Sequence, residues 1–108
     1  MIIRQAVPSD VPALVQLRQR QLVDEGMAAT RCIDQNLTEW YSRGIADGSL
    51  SVWVVENAGE VVATGVLLFM HFPPSFKDPS GIRGYVNSMY TAPEYRGQGL
   101  ATQLLEQI

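Results

Sequence analysis

The sequence holds one cysteine, Cys32, and one histidine, His71. A single cysteine excludes an internal disulfide framework and fits a reducing cytoplasm, the expected location. Together the two residues supply too few ligands for a zinc site built from this chain alone, so no metal is expected. Positive charge is also scarce. Eight Lys and Arg stand against eleven Asp and Glu, for a net charge of −3. The basic residues are scattered from Arg4 to Arg96 and form no stripe. A nucleic-acid partner is therefore not expected, because phosphate binding needs a concentrated basic surface. Long apolar runs are missing as well. The stretch around Gly65 to Met70 is far too short to span a bilayer, and Met1-Ile2-Ile3-Arg4 does not resemble a signal peptide. No membrane association is expected. There is no low-complexity tract and no internal repeat.

What is present points to a globular chain. Apolar residues make up 46% of it and charged residues 18%, outside the disordered range. For 108 residues, surface scaling gives ~17,000 Å² unfolded and ~6,000 Å² folded, enough burial for one core. Residues 1–108 are read as a single domain.

The pattern divides into seven elements. Ile2 to Val7 reads as a strand ended by Pro8. Ser9 or Asp10 offers an N-cap and Pro12 suits a first helical turn, so a helix is expected over 10–25. Val11, Leu14, Val15, Leu22 and the stem of Arg18 form its buried stripe, and Gly26 ends it. A second helix starts near Asp34 or Asn36, buries Leu37, Trp40, Tyr41 and Ile45, and stops at Asp47-Gly48. The stretch Met27 to Ile33 has no period and is expected to be a mobile loop. Ser51 to Glu56 is β-branched and aromatic, with Trp53 on a buried face. Asn57-Ala58-Gly59-Glu60 reads as a hairpin turn, and Val61 to Met70 as the returning strand with a possible bulge at Gly65. Prolines and glycines place 72–83 in a loop. Gly84 to Thr91 is a fourth strand, stopped by Pro93. A last helix begins near Gly97, with Leu100, Ala101, Leu104, Leu105 and Ile108 on its apolar face. The order β-α-α-β-β-β-α implies an α/β (α+β) domain with a mixed, mostly antiparallel sheet. The last helix runs to Ile108 in mid-pattern with no capping residue. The domain is therefore expected to be incomplete at its C-terminus, with later strands absent.

The chemistry concentrates between Met89 and Ile108. A strand ends at Thr91, a turn follows through Ala92-Pro93-Glu94-Tyr95, and Arg96-Gly97-Gln98-Gly99-Leu100-Ala101 opens a helix. Glycines at 97 and 99 let backbone approach a ligand closely. Free N–H groups of a first helical turn favour an anion, above all a phosphate, and Arg96 adds a charge beside them. No Lys-Ser/Thr pair follows, which excludes a Walker P-loop. Thr102 stands where a dinucleotide-binding motif needs its third glycine.

Arg96-x-x-Gly99-x-Ala101 resembles the acyl-CoA pyrophosphate motif Q/R-x-x-G-x-G/A of the GNAT N-acetyltransferase superfamily. The preceding strand and turn, and the order of elements, are similar to that family along the whole chain. The resemblance implies a GNAT-like acyl-CoA N-acyltransferase fold with acetyl-CoA as cosubstrate. The pantetheine arm would pair with the backbone of Met89, Tyr90 and Thr91. The pyrophosphate would sit on the amides of Arg96, Gly97, Gln98, Gly99, Leu100 and Ala101. Leu100 would also turn its side chain into the core.

The implied reaction is direct acetyl transfer to a primary amine, a small molecule or peptide, in a ternary complex. An alkyl ammonium has a pKa near 10.4 and must lose a proton first. Backbone N–H near Met89 would stabilise the oxyanion. Many relatives carry a carboxylate base on the fourth strand, where this sequence has Asn87 and Ser88. Their acidic tyrosine lies beyond the motif helix. No catalytic residue is therefore assigned. Glu94 is the nearest carboxylate but reads as a turn residue, and Tyr90 as a core residue. His71 with its proline-rich loop, and Asp24 and Glu25 with the loop Met27 to Arg31, are candidates for the acceptor pocket, the acids for a cationic acceptor. Cys32 reads as a loop residue, not a nucleophile. The alternative is a non-catalytic acyl-CoA-binding or dimerising interaction module. In either reading an exposed sheet edge suggests a homo-oligomer.

Overall fold

A computed structural model describes all residues, Met1–Ile108. Strand β1 (Ile2–Gln5) leads through a 3-10 turn at Pro8–Asp10 into α1 (Val11–Asp24). Helix α2 (Asp34–Asp47) follows, then β2 (Leu50–Asn57), β3 (Glu60–His71) and β4 (Ile82–Thr91). A 3-10 turn at Pro93–Tyr95 precedes α3 (Leu100–Gln107). The seven main elements occur in the order read from the sequence. The sheet runs β1-β2-β3-β4, and every pairing is antiparallel, where a mixed sheet was expected.

Turn chemistry explains the joints. Ala58 and Gly59 both have positive φ, +51° and +82°, as a two-residue type I′ hairpin requires. After α1, Gly26 N–H donates to Val23 O and Met27 N–H to Leu22 O. That is a Schellman closure with glycine at its left-handed position. Asp10 precedes α1 but does not cap it. Its carboxylate accepts the Val7 N–H at 2.7 Å and two Arg4 N–H groups at 2.7 and 2.9 Å. Arg4 also reaches Glu56 at 3.0 Å, so one guanidinium ties β1, the first turn and β2 together.

Both faces of the sheet are covered over β2 and β3. Val11, Leu14 and Val15 of α1 and Tyr41 of α2 pack on Leu50, Val52, Val54 and Val66. Leu100 and Leu104 of α3 cover Val55, Val62 and Ala63 on the other side. Alternation of side chains along β2 sends Val54 and Val55 to opposite cores. Val62 and Ala63 are consecutive yet share one cluster, because the β2–β3 register slips beside them.

Several expectations need correction. Helix α3 starts at Leu100, not near Gly97, because Gly97 and Gly99 have φ of +81° and +76° and cannot continue a right-handed helix. Strand β4 begins two residues before Gly84. The bulge lies opposite Gly65, not on it. Thr64 pairs with Tyr90 and Val66 with Asn87, so Ser88 and Met89 face one residue. Ser88 takes φ +53° to absorb the extra length. A Cβ on Gly65 would stand 2.5 Å from Met89 Sδ, so the glycine makes room for that side chain. Trp40 is exposed, not buried, while Tyr41 beside it is fully enclosed. Leu17 is buried in α1, where the predicted stripe did not include it.

The accessible surface is 6902 Å², above the ~6,000 Å² scaling value. The excess matches an open edge. β4 pairs only with β3, and Ile82, Tyr85 and Val86 along it are 49%, 48% and 46% exposed.

Candidate functional site

The C-terminal end of β4 and the start of α3 enclose a groove of about 310 Å³. Met89, Tyr90, Thr91, Arg96, Gly97, Gly99, Leu100 and Ala101 line it, together with Tyr95. Eight of the nine residues singled out from the sequence thus meet in one place. Gln98 is exposed and does not line the groove.

One wall is a run of free donors. The N–H groups from Gly97 to Thr102 donate to no backbone acceptor, and the first intrahelical bond runs from Gln103 N–H to Gly99 O. The Arg96 N–H is not among them, since it donates to Pro93 O at 3.4 Å. Unpaired amides at a helix N-terminus concentrate positive potential, which suits a phosphate-sized anion. Leu100 contributes its backbone here while its side chain is buried beneath α3.

The facing wall carries β4 carbonyls. Ala92 N–H donates to Val62 O of β3 at 2.8 Å. The carbonyls of Met89 and Thr91 instead accept side-chain donors, Gln21 Nε2 at 3.2 Å and Arg96 Nε at 3.0 Å. Arg96 also differs from its expected role. Its guanidinium turns back to Asp24 at 3.2 Å and lies 5.4 Å from the Tyr90 ring centroid. The Tyr90 hydroxyl donates to the same Asp24 carboxylate at 2.5 Å. That bond, followed by the Arg96 charge, holds the Asp24 carboxyl below the usual carboxylate range. Desolvation and the Asp24 charge push the Tyr90 phenol up. Tyr90 therefore stays a neutral hydrogen-bond donor at ordinary pH.

Other candidates fall elsewhere. Glu94 is exposed and makes only a 3.7 Å pair with Arg20. His71 ends β3 on the exposed surface, and Cys32 is exposed. Glu25 is exposed past the end of α1, and Asp24 is already matched by Arg96 and Tyr90. No group of His, Cys, Asp and Glu side chains could hold a metal ion. No helix is long and apolar enough to cross a membrane.

Two residues of the site escaped the sequence reading. Tyr95 lines the groove and accepts a 3.2 Å bond from Asn57 Nδ2. Gln21 reaches Met89 from α1. Arg18, Gln21 and Asp24 recur every third residue, so a polar stripe beside the apolar one was the available signal.

The model of the acetyltransferase (GNAT) family matches residues 12–108, nearly the whole chain. The chain belongs to the GNAT acetyltransferase family. It is similar to a predicted acetyltransferase from Clostridium acetobutylicum solved with acetyl-CoA, at 37% identity and TM-score 0.92. That likeness covers 98% of this chain and 69% of the other. It is also similar to a GCN5-related N-acetyltransferase from Ralstonia eutropha JMP134, at 25% identity, TM-score 0.86, and coverage of 98% and 71%. A ribosomal-protein-alanine N-acetyltransferase from Brucella melitensis matches at 28% identity and TM-score 0.68, with coverage of 99% and 64%. No curated protein matches. The GNAT fold seen here is thus the α+β arrangement of β1 to α3, spanning about two thirds of the length of these structures.

Proposed function

We propose that this GNAT chain carries the acetyl-CoA-binding part of an N-acetyltransferase, with a primary amine as acceptor and direct transfer in a ternary complex. The observation that supports it most is the row of free amides from Gly97 to Thr102 beside the β4 carbonyls, in a single groove. The amides suit the pyrophosphate, with Arg96 contributing its side chain to the groove wall. The backbone of Met89, Tyr90 and Thr91 suits an extended amide-bearing arm laid along a strand edge. The similar Clostridium acetobutylicum protein was solved with acetyl-CoA, which agrees with this choice of ligand.

Acetyl-CoA supplies the activated thioester. The chain's own residues bind and orient. Free amides hold the anionic end, the bulge at Ser88 and Met89 shapes the strand beside the reacting end, and Tyr90 donates to Asp24 and keeps Arg96 in place. No carboxylate of this chain is assigned as base. Amine-dependent release of the CoA thiol, followed with a thiol reagent, tests the reading. Release that requires both acetyl-CoA and an amine supports it. Release equal with and without amine overturns it.

A second reading rests on the open edge of β4, where Ile82, Tyr85 and Val86 are exposed. Two copies pairing along that edge would bury it and form a homo-oligomer, with or without catalysis. Light scattering across a concentration series decides it. A constant monomer mass rules the pairing out.

A further inference from the structure

A second cavity, of about 380 Å³, opens on the α1–α2 side of the sheet. Arg18, Asn36, Asn87 and Ser88 supply its polar lining, Ile33, Leu37 and Trp40 its apolar lining, and no acid lines it. Arg18 is half-buried and has no carboxylate within 4.0 Å. The other basic residues without a carboxylate partner, Arg31, Arg43, Lys77 and Arg83, are all exposed. A partly desolvated guanidinium without a counter-charge favours an anion brought in from outside. A second group is also left wanting. The Tyr41 hydroxyl, which does not line the cavity, is fully buried and makes no hydrogen bond.

The cavity is coupled to the cofactor groove. Ser88 lines the cavity and Met89 lines the groove, as neighbours in one bulge. Arg18 Nη1 donates to Gln21 Oε1 at 3.1 Å, and Gln21 Nε2 donates to Met89 O at 3.2 Å. This chain of bonds fixes the guanidinium relative to the groove wall.

We propose that the acceptor is a small primary amine that also carries an anionic group, a carboxylate or a phosphate. The inference rests on the acetyl-transfer reading for its chemistry, but the binding site stands on its own. The anion sits on Arg18 and the amine points toward the bulge. In the step itself, the amine nitrogen bonds the acetyl carbon as the carbon–sulfur bond breaks. The ammonium gives up two protons, one to water and one to sulfur, leaving the amide and the CoA thiol. The Arg18 charge rejects polycations such as polyamines, so it also selects among amines.

The test uses β-alanine and O-phosphoethanolamine against propylamine and spermidine, each read by tryptophan fluorescence and by CoA-thiol release. Trp40 lines the cavity and is one of two tryptophans, so binding is visible without turnover. The expected result is quenching by the anionic amines, absent in Trp40→Phe, and acetylation at least about tenfold above propylamine, or about 1.4 kcal/mol. Arg18→Gln erases the difference. The carboxylate and phosphate arms identify which anion the site takes. Quenching that depends on Arg18 with no acetylation of any amine keeps this site and overturns the acetyl-transfer reading. Propylamine or spermidine equal to the anionic amines, or no quenching by either anion, overturns the inference. If Arg18→Gln fails to fold, the wild-type ratio of anionic to neutral amines still decides.

Discussion

The side-chain amide of Gln21 donates a 3.2 Å hydrogen bond to the Met89 carbonyl, across 68 positions of sequence. It holds α1 against the open edge of β4 at the bulge, and its other end holds Arg18. Replacing it with a side chain of similar size and no polar atoms removes both bonds. Gln21→Leu is expected to lower stability by about 2 kcal/mol, roughly 1 kcal/mol for each bond lost. Urea denaturation measures this. The KM for the amine should rise more than the KM for acetyl-CoA, because Arg18 loses its anchor.

The glycines of the α3 loop act through backbone shape. Gly99 has φ +76° with open space around it, so a Cβ meets no atom but must adopt a left-handed conformation. That costs about 1–2 kcal/mol for a non-glycine residue. Gly99→Ala should weaken acetyl-CoA binding at least about fivefold, because relief of the strain turns amides away from the groove. Gln98→Ala should leave affinity within about twofold, as an exposed substitution outside the groove. Calorimetry with both variants separates backbone from side-chain recognition.

Asp10 sets an acid limit. Its carboxyl is held below the usual range first by hydrogen bonds from Arg4, and further by the Val7 N–H. A carboxyl lowered in the folded state stabilises the fold above its unfolded pKa, near 3.9. The contribution disappears as pH falls through the folded value. Asp10→Asn should cost about 2 kcal/mol at neutral pH. The gap from wild type should then close below about pH 4. Denaturation curves collected from neutral to acid pH test the sign. A gap that widens in acid would disprove this assignment.

Gly81 closes the loop between β3 and β4. An added Cβ would lie 2.0 Å from Phe72 O, and φ is +69°. Phe72 N–H donates to Gly81 O at 2.7 Å, so the clash falls on backbone that is already tied. Gly81→Ala should destabilise by more than the about 1–2 kcal/mol of conformational strain alone. Gly48→Ala has a similar φ and open space, and should cost only the strain. Thermal unfolding of the two variants compares them directly.

Local chemistry carried most of the fold into the sequence. Gly26, Gly48 and the Ala58-Gly59 pair mark ends and turns by backbone conformation alone, and the apolar spacing of α1 and the alternation of β2 mark the core. The candidate groove was legible for the same reason, since its two walls, Met89 to Thr91 and the stretch from Arg96 to Ala101, lie close together in sequence. What escaped depends on register between distant strands. The extra residue at Ser88 belongs to β4 only because of how β4 pairs with β3. Trp40 and Tyr41 are neighbours with opposite burial, and spacing alone placed both inside. The bonds from Asp24 to Tyr90 and from Gln21 to Met89 join α1 to β4, and nothing local specifies either partner.

The most direct measurement is calorimetric titration of the chain with acetyl-CoA at low and moderate salt. The account predicts saturable one-to-one binding that weakens as salt rises, because an anion meets the free helix-terminal amides from Gly97 to Thr102. No heat at millimolar acetyl-CoA, from a chain shown to be folded by circular dichroism, would contradict it.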